Sequence, residues 1–215
     1  MTEKLSKYRK EFLENWFSFN TFGLFVLICL TYVALLFVKR IFIIDTIAAF
    51  EVLNERGDIW VFDLIYSIQY LSVPIFLAWK WTWTSLLLWI GCFMFGYRIH
   101  FNQLWKMVML AEVLFFIPEV LKVVWYTLFY NDPTYNDYLA FYPFSIINLI
   151  DYTQIAPEYL YPLKSLNIFE IIYWPLLTLG IYFLSGKKFK ISSYIVLSTY
   201  TLFFLVWLGF YIIVY

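Results

Sequence analysis

"IWVFDLIYSIQYLSVPIFLAWKWTWTSLLLWIGCFMFGY", residues 59 to 97, decides how this chain folds, because only Asp63 and Lys80 carry charge in it. A membrane helix needs about 20 apolar residues, so the run has length for two short helices. The predicted turn between them lies near "WKWTW" at 79 to 83, where crowded aromatic rings suit a membrane interface. Outward from it, Thr21 to Val38, Lys106 to Tyr130, Ile168 to Ser185 and Tyr194 to Tyr215 are each long enough to span. Hydropathy therefore predicts six segments. The stretch "IFIIDTIAAFEVL", Ile41 to Leu53, is apolar but too short to cross, and is predicted to be interfacial or re-entrant.

Composition explains why lipid is needed. A chain of 215 residues that is 63% hydrophobic and 14% charged holds more apolar surface than one soluble core of that size can hide. The fifteen basic and fifteen acidic side chains cancel, which leaves no overall field to attract nucleic acid. Cys29 and Cys92 lie inside apolar runs, so neither a disulfide framework nor a Cys/His metal site is expected. His100, the sole histidine, sits beside Arg98 in a polar loop and excludes a paired-histidine zinc site. With no nucleophile elbow and no phosphate loop either, enzymatic function has little support in the residues, and no cofactor or metal is expected.

Basic residues count crossings differently from hydropathy. Lys and Arg in short loops mark the cytoplasmic side. Lys4, Lys7, Arg9 and Lys10 precede the first span; Arg98 and Lys106 flank the middle loop; Lys187, Lys188 and Lys190 form the last. The stretch 131 to 165 holds Lys164 alone against Asp132, Asp137, Asp151 and Glu158, which favours the outside. All four placements agree only if residues 59 to 97 cross once in net terms. That gives five crossings, with the N-terminus inside. The basic start is followed by no small-residue cleavage site, so residues 21 to 38 read as an uncleaved first span. Before it, Leu5, Tyr8, Phe12 and Trp16 recur at helical spacing among Lys and Glu, the pattern of an interfacial helix over residues 1 to 19. Residues 20 to 215 then form a single integral membrane domain.

Charged groups inside the apolar runs are the candidate site. In "AEVLFFIPEVLK", Glu112 and Glu119 lie seven apart on nearly one helical face, and Lys122 follows Glu119 by three. Such groups cost on the order of 3 kcal/mol each at the centre of a membrane helix, and so face a cavity or one another. Pro118 frees the carbonyl of Leu114, a further acceptor. These residues fit either an ion or proton site, or a structural Glu119 to Lys122 pair beside a hydrogen-bonded Glu112.

A second motif is repeated. "YPFSIINLID" at 142 to 151 returns as "YPLKSLNIFE" at 161 to 170, with Tyr, Pro and Asn in register and Asp151 matched by Glu170. Proline suits a first helical turn, so each copy reads as a helix start. The first copy is predicted to dip in and return, and the second to cross. Asn148 and Asn167, at equivalent positions, are each expected to bond a neighbouring backbone group. With Glu170, they are the candidate polar lining of a cavity.

"LNIFEIIYWPLLTLGIYFLSGKKFKISSYIVLSTYTLFFLVWLGFYII", residues 166 to 213, and "FNQLWKMVMLAEVLFFIP", residues 101 to 118, resemble parts of the Yip1-type membrane domain. The shared features are a Phe-rich span start, a glycine near the span's end, a short basic turn and a final span. The resemblance extends over residues 60 to 215. It implies a five-span domain with a cytoplasmic N-terminus and names no catalytic residue. The Tyr-Pro repeat and the acidic loop depart from it.

The fold expectation is therefore an all-α, polytopic transmembrane bundle of five to six segments, with an N-terminal interfacial helix and one or two re-entrant or interfacial segments. The function expected is a scaffold or accessory subunit that contacts the bilayer and a membrane-protein partner or a second copy. The alternative is a transporter or channel component with a cavity lined by Glu112, Glu119 and the 142 to 170 region. The Lys, Phe, Tyr and Ile bias fits a low-GC bacterial source and hence a bacterial cytoplasmic membrane.

Overall fold

The computed structural model describes residues 20 to 47, 60 to 130 and 134 to 215, so the expected interfacial helix over residues 1 to 19 lies outside the described residues. Every regular element among them is helical, apart from one isolated bridge between Ser145 and Asn167. Helix α1 (Thr21–Lys39) runs into a π-helical turn, Arg40–Ile44. Helix α2 is Trp60–Met94. Helix α3 (Phe101–Ala111) is joined to α4 (Phe116–Leu128) by a 3₁₀ turn, Glu112–Phe115. Then come α5 (Tyr135–Ala140), α6 (Pro157–Ser165), α7 (Ile168–Ser185) and α8 (Phe189–Val196), which continues through a π-helical turn into α9 (Leu202–Val214).

Among the described residues, four helices are long and apolar enough to cross a membrane: Thr21–Ile44, Trp60–Met94, Ile168–Ser185 and Phe189–Val214. Such segments fit a polytopic membrane protein.

Three sequence expectations are corrected. The stretch 59 to 97 does not turn at "WKWTW": α2 is one helix of 35 residues. At 1.5 Å per residue it is about 52 Å long, well over the roughly 30 Å of hydrocarbon. Pro74 lies inside it, where its missing N–H leaves the Tyr70 carbonyl without its usual helical donor. Residues 41 to 44 are not a separate interfacial piece but continue α1; residues 48 to 53 of that stretch lie outside the described residues. The Tyr-Pro copies are not helix starts. Pro143 enters a turn, followed by the 3₁₀ helix Ile146–Leu149, and Pro162 lies within α6.

The chain divides into two compact units. The first comprises residues 20 to 27, Ala78–Val113 and Ile172–Phe210. Its core centres on Trp81, fully buried, whose ring meets Phe25 and Trp105 edge-on at 5.7 Å each. Two glycines permit close approach there. A Cβ on Gly180 would sit 2.5 Å from the Cγ and Sδ of Met107, and one on Gly91 would sit 2.5 Å from Thr199 Cγ2. Of the two roles that its place in a proline-containing span suggests, bending and close packing, Gly180 serves packing.

The second unit comprises residues 28 to 47, 60 to 77, Leu114–Ile171 and Tyr211–Tyr215. Ile44 and Ile47 are buried there against Phe62, Tyr66 and Tyr138. Arg40 pairs with Asp63 and lies over the Tyr66 ring, 4.8 Å from its centroid. The arginine that opens the π-helical turn is thus paired with a carboxylate from α2.

Candidate functional site

Of the charged residues of 112 to 122, Glu112 belongs to the first unit, and Glu119 and Lys122 belong to the second. In the first unit, Glu112 is 7% exposed at the start of the 3₁₀ turn. Its Oε2 accepts from Lys80 Nζ at 2.7 Å and its Oε1 from Tyr173 Oη at 3.0 Å. Lys80 is one of only two charges in the stretch 59 to 97, and this contact gives its place in α2 a physical reason. In the second unit, Glu119 Oε2 accepts from Lys39 Nζ at 2.5 Å, with both side chains largely shielded.

Lys122 is not the partner of Glu119. Its Nζ donates to the carbonyls of Tyr138 at 2.6 Å and Phe141 at 3.0 Å, and lies 3.9 Å from the centre of the Tyr138 ring. Tyr126 Oη donates to the Asp137 carbonyl at 2.8 Å, and Lys164 Nζ to that of Leu139 at 3.0 Å. These carbonyls cluster at the C-terminal end of α5, where the negative end of its dipole lies; that of Asp137 also accepts from Phe141 N–H at 3.0 Å. At the other end, Thr134 and Asp137 form a reciprocal capping box. A helix of six residues is thus held at both ends by side chains.

The Tyr-Pro copies meet one another. Ile146 N–H donates to the Leu166 carbonyl at 3.0 Å and Ile168 N–H to the Phe144 carbonyl at 3.1 Å. Phe144 adopts a left-handed backbone, φ 55°, to make this crossing. Both asparagines bond backbone as expected: Asn148 Nδ2 donates to the Tyr142 carbonyl at 2.6 Å, and Asn167 Nδ2 to that of Ser165 at 2.9 Å. Asn167 Oδ1 also accepts from Glu170 N–H at 2.9 Å, which makes Asn167 the cap of α7. Glu170, buried in the first turn, sits where the helix dipole favours a carboxylate.

Beside these residues the second unit contains an open cleft of about 850 Å³. One wall is α4, through Leu121, Val124 and Trp125; the other is the stretch 143 to 150. The ring of Phe141 stacks on Trp125 at 5.7 Å and meets Tyr126 edge-on at 5.5 Å, which fixes one end of the wall. The carboxylate of this cleft is Asp137; Glu112 and Glu119 do not line it. Tyr152 Oη donates to Asp137 Oδ1, and Thr134 donates to Oδ2 through its hydroxyl at 2.6 Å and its N–H at 2.9 Å. Burial raises the Asp137 carboxyl, but the Thr134 and Tyr152 hydroxyls and the Thr134 amide outweigh it and hold the group below its ordinary value.

Asp137, Tyr126 and Trp125 carry this cleft, and none stands out in the sequence. Asp137 reads there as one acidic residue among four in a loop, and the aromatic residues are masked by a composition that is 25% aromatic. The capping pattern "TYND", residues 134 to 137, is the one local signal that marks α5.

Comparison with protein-family models, with curated proteins and with solved structures finds no match.

Proposed function

We propose that this chain is a small integral membrane protein that serves as a non-enzymatic scaffold or accessory subunit of a membrane-associated system. The reading places it in a bacterial cytoplasmic membrane, with a membrane-protein partner or a second copy of itself. One observation carries it: both carboxylates that the sequence nominates for an ion path are largely shielded and paired with lysines of this chain. Glu112 is held by Lys80 and Tyr173, and Glu119 by Lys39. A transport carboxylate has to exchange its ion or proton with water, whereas a shielded ion pair orients helices.

Reconstitution tests this directly. In liposomes loaded with pH- and potassium-sensitive dyes, the expected flux equals that of empty vesicles, for the native chain as for Glu112→Gln. A protein-dependent flux that Glu112→Gln abolishes would overturn the scaffold reading in favour of a transporter or channel component.

The reading includes five crossings, with the broken α3 to α4 run added to the four candidate spans. The Yip1-type resemblance implies the same number. Single cysteines at Ser165 and Ser193, in a background lacking Cys29 and Cys92, are expected to label with impermeant maleimide from opposite faces, Ser193 from the cytoplasmic one. Labelling of both from the same face would refute the arrangement.

A further inference from the structure

The cleft between α4 and residues 143 to 150 has a makeup that the scaffold reading does not use. Its walls are almost wholly apolar, and among the described residues its lining includes no lysine or arginine. Its rim exposes large apolar side chains: Phe144 at 66%, Leu149 at 84% and Phe129 at 67%. The wall of residues 143 to 150 also pairs several of its polar groups internally. Tyr142's carbonyl accepts from Ser145 Oγ at 2.6 Å and Asn148 Nδ2 at 2.6 Å, and Ser145's carbonyl accepts from Asn148 N–H at 3.2 Å. Together with the two bonds to residues 144 and 166, these contacts pair much of the irregular backbone, as surroundings of hydrocarbon require. A volume of about 850 Å³ falls within the range of sites that enclose a small amphiphile.

We infer that this cleft binds the hydrocarbon chain of a membrane lipid whose head carries no net negative charge, with the head at the Asp137 end. The apolar walls take the chain. The head is selected by charge: Asp137 is the acidic side chain of the lining, no basic one accompanies it, and its donors Thr134 and Tyr152 keep it anionic. An acidic head would meet a like charge with no lysine or arginine of the described lining to offset it, since Lys122 and Lys164 are spent on the carbonyls of Tyr138, Phe141 and Leu139. The inference rests on the chain's being in a bilayer and stands whether or not it is an accessory subunit.

The test uses the full chain in vesicles that contain phosphatidylethanolamine with a diazirine on its acyl chain. After illumination, the expected cross-links concentrate on residues 121 to 129 and 143 to 150. Unlabelled phosphatidylethanolamine should compete and phosphatidylglycerol should not. Val124→Trp, which fills the cleft from a partly exposed helical position, should lower these cross-links at least about tenfold while those on α2 persist. Ile146→Trp is the second filling variant, on the opposite wall, and the native map decides the matter if neither folds. Cross-links spread over all exposed apolar faces in proportion to exposure would overturn the inference. So would equal competition by phosphatidylglycerol, or a second protein chain cross-linked in the cleft in place of lipid.

Discussion

Glu119→Leu is expected to lower the stability of the folded chain in detergent by about 3–5 kcal/mol, the usual result of removing one partner of a buried ion pair. The reason is Lys39, which is 8% exposed and would be left without the carboxylate now 2.5 Å away. An ammonium group without a counter-ion has to lose its proton or draw water inward, and either change opposes the native packing. The double variant Lys39→Met with Glu119→Leu removes both charges at once. It should recover most of the loss, because apolar replacements of similar volume are often neutral at such sites. Denaturant unfolding of the native chain, both single variants and the double variant gives the coupling energy of the pair. A loss below about 1 kcal/mol for Glu119→Leu would mean that the pair behaves as a solvated surface contact, and the shielded-pair argument would fail with it.

Trp81→Ala is expected to be as damaging, at about 3–5 kcal/mol, because it empties the centre of the first unit's core. Trp81 is fully buried, edge-on to the rings of Phe25 and Trp105, which stack on each other at 6.3 Å. Two residues earlier, Trp79 is 69% exposed, so Trp79→Ala should change stability by no more than about 0.5 kcal/mol. Thermal unfolding of the two variants side by side checks the contrast. Similar losses at both positions would contradict a continuous helix through residues 79 to 83.

That contrast shows what was legible. "WKWTW" invites a turn because aromatic crowding is the mark of a membrane interface. Its spacing nonetheless carries the helix: Trp79 and Trp83 are four apart and share a face, with rings stacked at 6.3 Å, while Trp81 points the other way. Periodicity was the better guide here than composition. The Tyr-Pro repeat misled for a similar reason. Proline after tyrosine permits a helix start, but the real start of α7 is set by Asn167, whose side chain supplies the acceptor that the first turn lacks.

Ion-pair partners were less legible still. Glu119 and Lys122 stand three apart, the spacing of a helical pair, yet each makes another contact. Glu119 takes Lys39, eighty residues back, and Lys122 takes the carbonyls that end α5. A helix end with unpaired carbonyls attracts an ammonium group, and no rule of local spacing announces where that end will come to lie. Lys80 and Glu112 are likewise 32 residues apart.

The sequence by itself determined the all-helical class, the apolar runs suited to a membrane and the charges that needed partners within them. These follow from length, hydropathy and the energy of a charge in hydrocarbon, all properties of a chain segment taken alone. Tertiary structure alone decided which cation meets which carboxylate, that α2 runs unbroken, and that residues 143 to 150 wall a cleft rather than form a half-span. Those outcomes depend on groups far apart in the chain arriving within hydrogen-bond distance, and no segment contains that information until its neighbours are in place.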